Sequence, residues 1–187
     1  MLRILDALLA ATGLVVLMPL LLILMVIGLL DTGLPLFLQV RVGLRQQPFT
    51  LWKFRTMRRG TASVATHLAD ASAVTPFGRF LRRTKLDELP QLWNVLRGEM
   101  SFVGPRPCLL NQKELIAERA ERGVFTVRPG ITGLAQVRGI DMSTPRLLAE
   151  TDAQMIKTLS FFNYFKYILL TFMGNGAGDR VKPGSDK

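Results

Sequence analysis

Residues 7–30 carry no charged side chain, and this run constrains the chain more than any other feature. It is long enough to cross the hydrocarbon of a bilayer as one helix. A secretory signal fits poorly, because the apolar stretch is too long and no small-residue cleavage site precedes Asp31. The choice lies between a straight span and a hairpin-like dip. Pro19 sits in the middle of the run, where a proline removes one backbone hydrogen bond and crowds the preceding turn. Membrane helices tolerate prolines, so charge has to help decide. Arg3 precedes the segment, and Arg41, Arg45, Lys53, Arg55, Arg58 and Arg59 follow it. The positive-inside tendency places the second group in the cytoplasm. A bent segment lets Arg3 join it, and a straight one does not. On the residues alone both geometries stay open.

Half of the 187 residues are hydrophobic (49%), yet Lys and Arg outnumber Asp and Glu by 24 to 14, a net charge of +10. The two properties coexist because apolar and basic residues are segregated along the chain. A basic surface beside an apolar anchor suits an anionic lipid leaflet, where each nearby cation contributes about 1 kcal/mol. Nucleic acid would feel the same charge, but no zinc-finger spacing, glycine-aromatic RNA motif or helix-turn-helix is present, and no nucleic-acid partner is expected. Cys108 is the only cysteine and His67 the only histidine. Disulfides, thiolate metal sites and Ser-His-Asp chemistry are thereby set aside. His67 lies in a polar stretch and reads as a solvated surface residue. Acid, base or nucleophilic work falls to carboxylates.

Beyond the apolar run the pattern predicts an α+β, mainly helical domain. Strands over 36–42 and 49–57 alternate in side-chain character about a turn at 43–48, which predicts a β-hairpin. Residues 60–75 are small and polar and read as a loop of little order. Residues 77–83 mix Phe77, Phe80 and Leu81 with Arg79, Arg82 and Arg83, the make-up of an interfacial helix or of an ordinary amphipathic one. Leu89, Leu92, Trp93 and Leu96 fall on one helical face, ended by Gly98. A further amphipathic helix is expected over 109–122, stopped by Gly123. Thr144-Pro145 is a start signal for a helix running to about Leu159. The aromatic segment 160–173 is short for a span and reads as a half-submerged interfacial helix, with a buried core helix as the alternative. The glycine-rich tail from Gly174 to Arg180 reads as a frayed end.

Three stretches combine rigidity with charge. In Arg82-Arg83-Thr84-Lys85-Leu86-Asp87-Glu88-Leu89-Pro90, Asp87 falls at or next to a helix start, where backbone N–H groups favour anions. A carboxylate held there stays ionised and suits a nucleophile or a divalent-metal ligand, although aspartate also caps many helices with no further role. In Gly104-Pro105-Arg106-Pro107, two prolines fix the backbone around one arginine, which suits a bidentate grip on phosphate. A plain surface turn would look the same. Arg128-Pro129-Gly130-Ile131-Thr132-Gly133-Leu134-Ala135-Gln136 allows a tight fold with N–H groups available to a nucleotide or diphosphate, a weak signal by itself.

Together these motifs resemble the bacterial sugar transferase family, the small monotopic phosphoglycosyl transferases. The resemblance rests on Arg41-Val42-Gly43, Lys53-Phe54-Arg55-Thr56-Met57, Gly78-Arg79-Phe80-Leu81-Arg82, Leu86-Asp87-Glu88-Leu89-Pro90-Gln91-Leu92, Ser101-Phe102-Val103-Gly104-Pro105-Arg106-Pro107 and Pro129-Gly130-Ile131-Thr132-Gly133, in the family's order. It implies transfer of a phosphosugar from a UDP-sugar to a polyprenyl (undecaprenyl) phosphate, with release of UMP. It implies Asp87 as a covalent nucleophile, Glu88 as its partner, and Mg²⁺ held by Asp87 and Glu88. Arg82 and Arg106 match phosphate-contacting positions, with Lys53 and Arg55 close by and Arg128, Gly130, Thr132 and Gln136 in the glycine-rich loop. It implies that residues 1–32 form a re-entrant helix broken near Pro19, that 33–187 form the catalytic domain, and that the whole sits monotopically on the cytoplasmic face of the bacterial inner membrane. The chain departs from the family in having Met18 where serine is frequent before the proline, Ala73-Val74 where an arginine is frequent before Thr75, and Leu134 where tryptophan is frequent.

Two other readings compete. A non-catalytic membrane adaptor would bind anionic lipid through its basic face, and a conventional glycosyltransferase would release UDP instead of UMP. The sequence is compatible with a monomer or a homodimer.

Overall fold

The computed structural model describes residues 2–61 and 71–174. His67, most of the expected loop at 60–75 and the tail beyond Gly174 lie outside the described residues.

The apolar run folds as two helices, α1 (Leu2–Val16) and α2 (Met18–Thr32), bent by 64° at Leu17. Pro19 falls in the first turn of α2, the place where a missing N–H costs nothing because no intrahelical acceptor is available there. Backbone bonding carries across the bend: Leu17 N donates to Gly13 O at 2.9 Å and Leu21 N to Leu17 O at 2.8 Å. Neither helix alone is long and apolar enough to cross a membrane, although the pair together meets that test by length and composition.

Both ends of the pair are fastened to the rest of the chain. Arg3 donates to Val95 O (2.6 Å) and Leu96 O (2.7 Å), capping the C-terminal carbonyls of helix α4 (Gln91–Arg97). Asp6, 3% exposed, accepts hydrogen bonds from Ser101 Oγ (3.1 Å), Phe102 N (3.2 Å) and the Tyr164 hydroxyl. At the far end Thr75 Oγ1 donates to Asp31 (2.7 Å). Between these ties Leu8, Val15, Val16, Met18, Leu22, Ile23 and Val26 are exposed, while Ala10 packs with Leu51, Val95 and Met100.

Strands β1 (Leu36–Val42) and β2 (Pro48–Phe54) form the expected antiparallel hairpin, paired from Leu36↔Phe54 to Val42↔Pro48. The period of two holds, but part of the polar side is the side turned inward. Gln39 and Arg41 are buried, whereas Leu38 and Val40 are about half exposed. Arg41 accepts burial because its Nη1 donates to Pro107 O at 3.1 Å and its Nη2 to the Gln39 side chain at 2.5 Å. β2 stops short of the expected Met57 because Arg55 N turns to Pro35 O (2.7 Å), and Thr56 O is taken by Thr75 N (3.1 Å).

Helix α3 (Pro76–Thr84) opens on Thr75, whose Oγ1 accepts from Gly78 N at 2.9 Å. It exposes Arg79, Phe80 and Arg83 and buries Leu81, as an amphipathic helix should. Gly78 is required there, since a Cβ would lie 2.0 Å from Thr56 O. α4 buries Gln91, Leu92, Asn94 and Val95. Trp93, expected on the inner face, is 43% exposed, because Asn94 takes the inward position to bridge Trp52 N (3.0 Å) and Thr50 O (2.7 Å) of the hairpin.

β3 (Ser101–Val103) pairs in parallel with β4 (Gly130–Thr132), so part of the glycine-rich stretch expected as a loop is a strand. Helix α5 (Lys113–Glu121) starts four residues later than the expected 109, because Gln112 Oε1 accepts from Leu109 N (2.8 Å) and holds that stretch non-helical. The short α6 (Leu134–Val137) leads to α7 (Pro145–Thr158) and α8 (Phe161–Phe172), both where expected. α8 buries Tyr164 and Tyr167 and exposes Phe161, Phe162 and Leu169. The described residues are mainly helical, with one antiparallel strand pair and one parallel pair among them.

Candidate active site

The site forms where three segments converge. α3 ends on Lys85, which adopts a left-handed backbone (φ 58°), an unusual conformation for a residue bearing a Cβ. That turn redirects the chain into a single 3-10 turn, Leu86–Glu88, before α4 begins. Asp87 therefore precedes the helix by a full turn and does not cap it. It is 4% exposed. Its neighbour Glu88 accepts ion pairs at one oxygen, Oε1, from Lys53 Nζ (3.4 Å) and Arg106 Nη2 (3.2 Å). Lys53 comes from β2, and Arg106 from the loop that β3 feeds. The parallel pairing of β3 with β4 sets that loop against Gly130, whose N donates to Pro105 O at 2.9 Å.

Lys53, Glu88, Arg106 and Gly130 line one cleft of about 240 Å³, open to solvent, together with Arg41, Gln91, Pro107, Leu51 and Ile131. Glu88 is the member of the acidic pair that lines it, and Asp87 lies in the same turn, buried. Arg41 and Gln91 belong to the motifs but are not expected site residues, and both line the cleft. The sign that could have found Arg41 is its place on the polar face of β1 beside Gln39. Chemically the cleft brings three cations and one carboxylate together over a backbone rich in proline and glycine, an arrangement suited to phosphate oxygens.

The sequence from residue 1 to residue 175 matches the bacterial sugar transferase family. The chain belongs to that family. Among relatives of this sugar transferase, an uncharacterized sugar transferase of Bacillus subtilis, EpsL, is 43% identical over 143 residues, covering 76% of this chain and 70% of its own. A UDP-glucose:undecaprenyl-phosphate glucose-1-phosphate transferase of Caulobacter vibrioides is 41% identical over 183 residues, covering 90% of this chain and 67% of its own. The Escherichia coli protein of the same name is 37% identical over 176 residues, covering 89% of this chain and 38% of its own. The chain thus spans about two thirds of the first two relatives and well under half of the third.

Five other residues expected at the sugar transferase's site make their contacts outside this cleft. Arg55 donates to Leu34 O (3.0 Å) and Leu36 O (3.2 Å) and stacks over Phe37, fastening the hairpin to the end of α2. Arg128 donates to Gly98 O at 2.7 Å, at the C-terminal end of α4 where carbonyls lack helical partners. Arg82 Nε bonds Thr56 Oγ1 at 2.9 Å on the adjoining face of α3. Thr132 meets the Thr171 hydroxyl, and Gln136 reaches Gly104 O at 3.4 Å, behind the strand pair. None of these five lines the cleft.

Among the described residues no three Asp, Glu, His or Cys side chains gather as a metal cage. Mg²⁺ needs none, since it is commonly held by one or two carboxylates plus substrate phosphates and water, and adjacent Asp87 and Glu88 fit that donor set. Cys108 is fully buried, and burial pushes its thiol up despite the nearby Arg119 guanidinium, which makes it unreactive.

Proposed function

We propose that this protein transfers a phosphosugar from a UDP-sugar to polyprenyl phosphate through a covalent intermediate on Asp87. In the first step an Asp87 carboxylate oxygen bonds to the sugar-bearing phosphorus, and the bond from that phosphorus to the bridging oxygen breaks. UMP leaves with the bridging oxygen. In the second step an oxygen of polyprenyl phosphate attacks the same phosphorus, the aspartyl oxygen departs, and the carboxylate is restored. Two half-reactions let a water-soluble donor and a lipid acceptor use one site in turn.

The observation that carries this reading is the placement of Glu88 between Lys53 and Arg106, one residue from buried Asp87, in a chain of this family. A diphosphate repels an incoming carboxylate, and Lys53, Arg106 and Arg41 supply the opposing charge. Burial of Asp87 supports exclusion of water from an aspartyl phosphate, whose hydrolysis is the side reaction that a two-step transfer must suppress. The cleft is open to solvent, which leaves the rest of the donor free to extend outward from a diphosphate held by these cations. Asp87 and Glu88 would hold Mg²⁺, which offsets phosphate charge when bound.

The bent α1–α2 pair enters the cytoplasmic leaflet of the inner membrane and returns, so that Arg3 and the basic residues after Asp31 share one side. Exposed Phe161, Phe162 and Leu169 of α8, and Phe80 of α3, rest at the same interface.

The test is a screen of UDP-sugars with the membrane-bound protein, undecaprenyl phosphate and Mg²⁺. UMP release with one donor, lost in Asp87→Asn, is the expected result. UDP as the released nucleotide would select a conventional glycosyltransferase, and normal turnover by Asp87→Asn would remove the assigned mechanism.

A further inference from the structure

The loop that carries Arg106 has every backbone carbonyl from residue 104 to residue 108 engaged. Gly104 O accepts from Gln136 Nε2 (3.4 Å), Pro105 O from Gly130 N (2.9 Å), Arg106 O from Arg119 Nη1 (2.8 Å), Pro107 O from Arg41 Nη1 (3.1 Å) and Cys108 O from Val42 N (2.9 Å). Two of these five donors are buried guanidinium groups, and they hold consecutive carbonyls.

Arg119 is the more costly of the two. It is 1% exposed, the largest fully buried side chain among the described residues. Its charge is balanced by Asp152, which is fully buried and accepts from Arg119 Nε (3.0 Å) and Nη2 (2.7 Å). Burying such a pair rarely adds stability relative to apolar residues of the same shape, because desolvation offsets the attraction. Core packing alone gives no reason for it. Outside the pair Arg119 Nη1 donates to the backbone carbonyl of Arg106 at 2.8 Å, whose side chain reaches Glu88 in the cleft, and the guanidinium also meets the Cys108 thiol.

We infer that Arg119, oriented by Asp152, is a positioning residue that fixes the backbone of Arg106 and so aims its guanidinium at the phosphates of the donor. The inference rests on the reading of the cleft as a phosphate site. With Pro105 and Pro107 restricting φ on either side and Arg119 holding the carbonyl between them, little backbone freedom remains to be lost when a phosphate binds. Arg119 touches no substrate and acts through another residue.

The experiment is a double-substitution cycle on the full-length protein in detergent or nanodiscs. Arg119→Lys is measured in the wild-type and Arg106→Ala backgrounds, by UDP binding and by the donor KM and kcat for UMP release. Arg119→Met/Asp152→Leu serves as a second variant that removes both buried charges together. Arg119→Lys is expected to weaken UDP binding and raise donor KM about tenfold, a 1.4 kcal/mol effect, with kcat changed much less. In the Arg106→Ala background the same substitution should cost less than about twofold, because its target side chain is gone. The paired variant should melt cooperatively and show the same loss.

Equal losses in both backgrounds, or no loss in either, would overturn the inference. So would a failure of both Arg119 variants to fold, which would assign the pair to stability alone. If no UDP-sugar yields UMP while UDP binding shows the expected coupling, the proposed reaction fails and the positioning role stands.

Discussion

Two acid–base clusters lie on either side of the Arg106 loop, and they are built for opposite ends. Arg119 and Asp152 are closed in, with side-chain exposures of 1% and 0% and a closest approach of 2.7 Å. Lys53, Glu88 and Arg106 are looser, at 3.4 and 3.2 Å, with exposures of 11%, 14% and 25%. The first cluster has no route by which an anion could replace its carboxylate. In the second, the cations can exchange Glu88 for phosphate oxygens without exposing a buried charge. A tight, dry pair keeps a backbone in place, and a loose, wetter one can change partners.

Substitutions can break or sharpen this contrast. The largest effect is expected at the open cluster: Asp87→Asn should lower UMP release by more than about a thousandfold, as loss of a covalent nucleophile does, with melting little changed. Next, Asp152→Asn should cost about 3–5 kcal/mol of stability by leaving a guanidinium buried without its counter-charge, read by denaturant unfolding. Arg106→Lys keeps the charge but loses the planar fork, and should weaken UDP binding about tenfold with an unaltered melting curve. Glu88→Gln should cost less unfolding free energy than Asp152→Asn, because its pairs are longer and less enclosed, read by the same denaturant series. Its contrast with Asp152→Asn is the sharpest measure of the difference between the clusters.

The smallest effect concerns pH. Burial, with the neighbouring Asp6 carboxylate, raises the Tyr164 hydroxyl above its ordinary value. Above the unfolded tyrosine value of about 10 the folded chain therefore holds its proton while the unfolded chain releases it. Stability should be fully present below that pH and fall as pH rises beyond it. Tyr164→Phe should flatten this alkaline decline in a pH series of melting curves.

Much of the fold was legible because it is local. The hairpin period, the Thr144-Pro145 helix start, and the glycine stop at Gly98 are written within a few residues of their effect. The β3–β4 pair was not, since each strand has three residues, too few for a period to register, and its partner lies far along the chain. Glu88, Lys53 and Arg106, expected from the motifs, do line the cleft, with Asp87 in the same turn. Arg55 and Arg128, expected from the same motifs, hold backbone carbonyls instead. A sequence cannot distinguish an arginine that awaits a phosphate from one that caps a helix, because both acceptors are partly negative oxygens and only tertiary position separates them. The Arg119–Asp152 pair lies 33 residues apart and carries no motif at all.

The Asp6 knot has a practical consequence for anyone wishing to make the enzyme soluble. Deleting the first helix would not trim an inert stalk. The Phe102 amide, the Ser101 hydroxyl and the Tyr164 hydroxyl would lose a shared acceptor just upstream of the Arg106 loop, and Leu51, Val95 and Met100 would be laid bare. A truncated preparation that is inactive would thus report a damaged cleft as readily as a missing lipid, so assays belong on the intact chain.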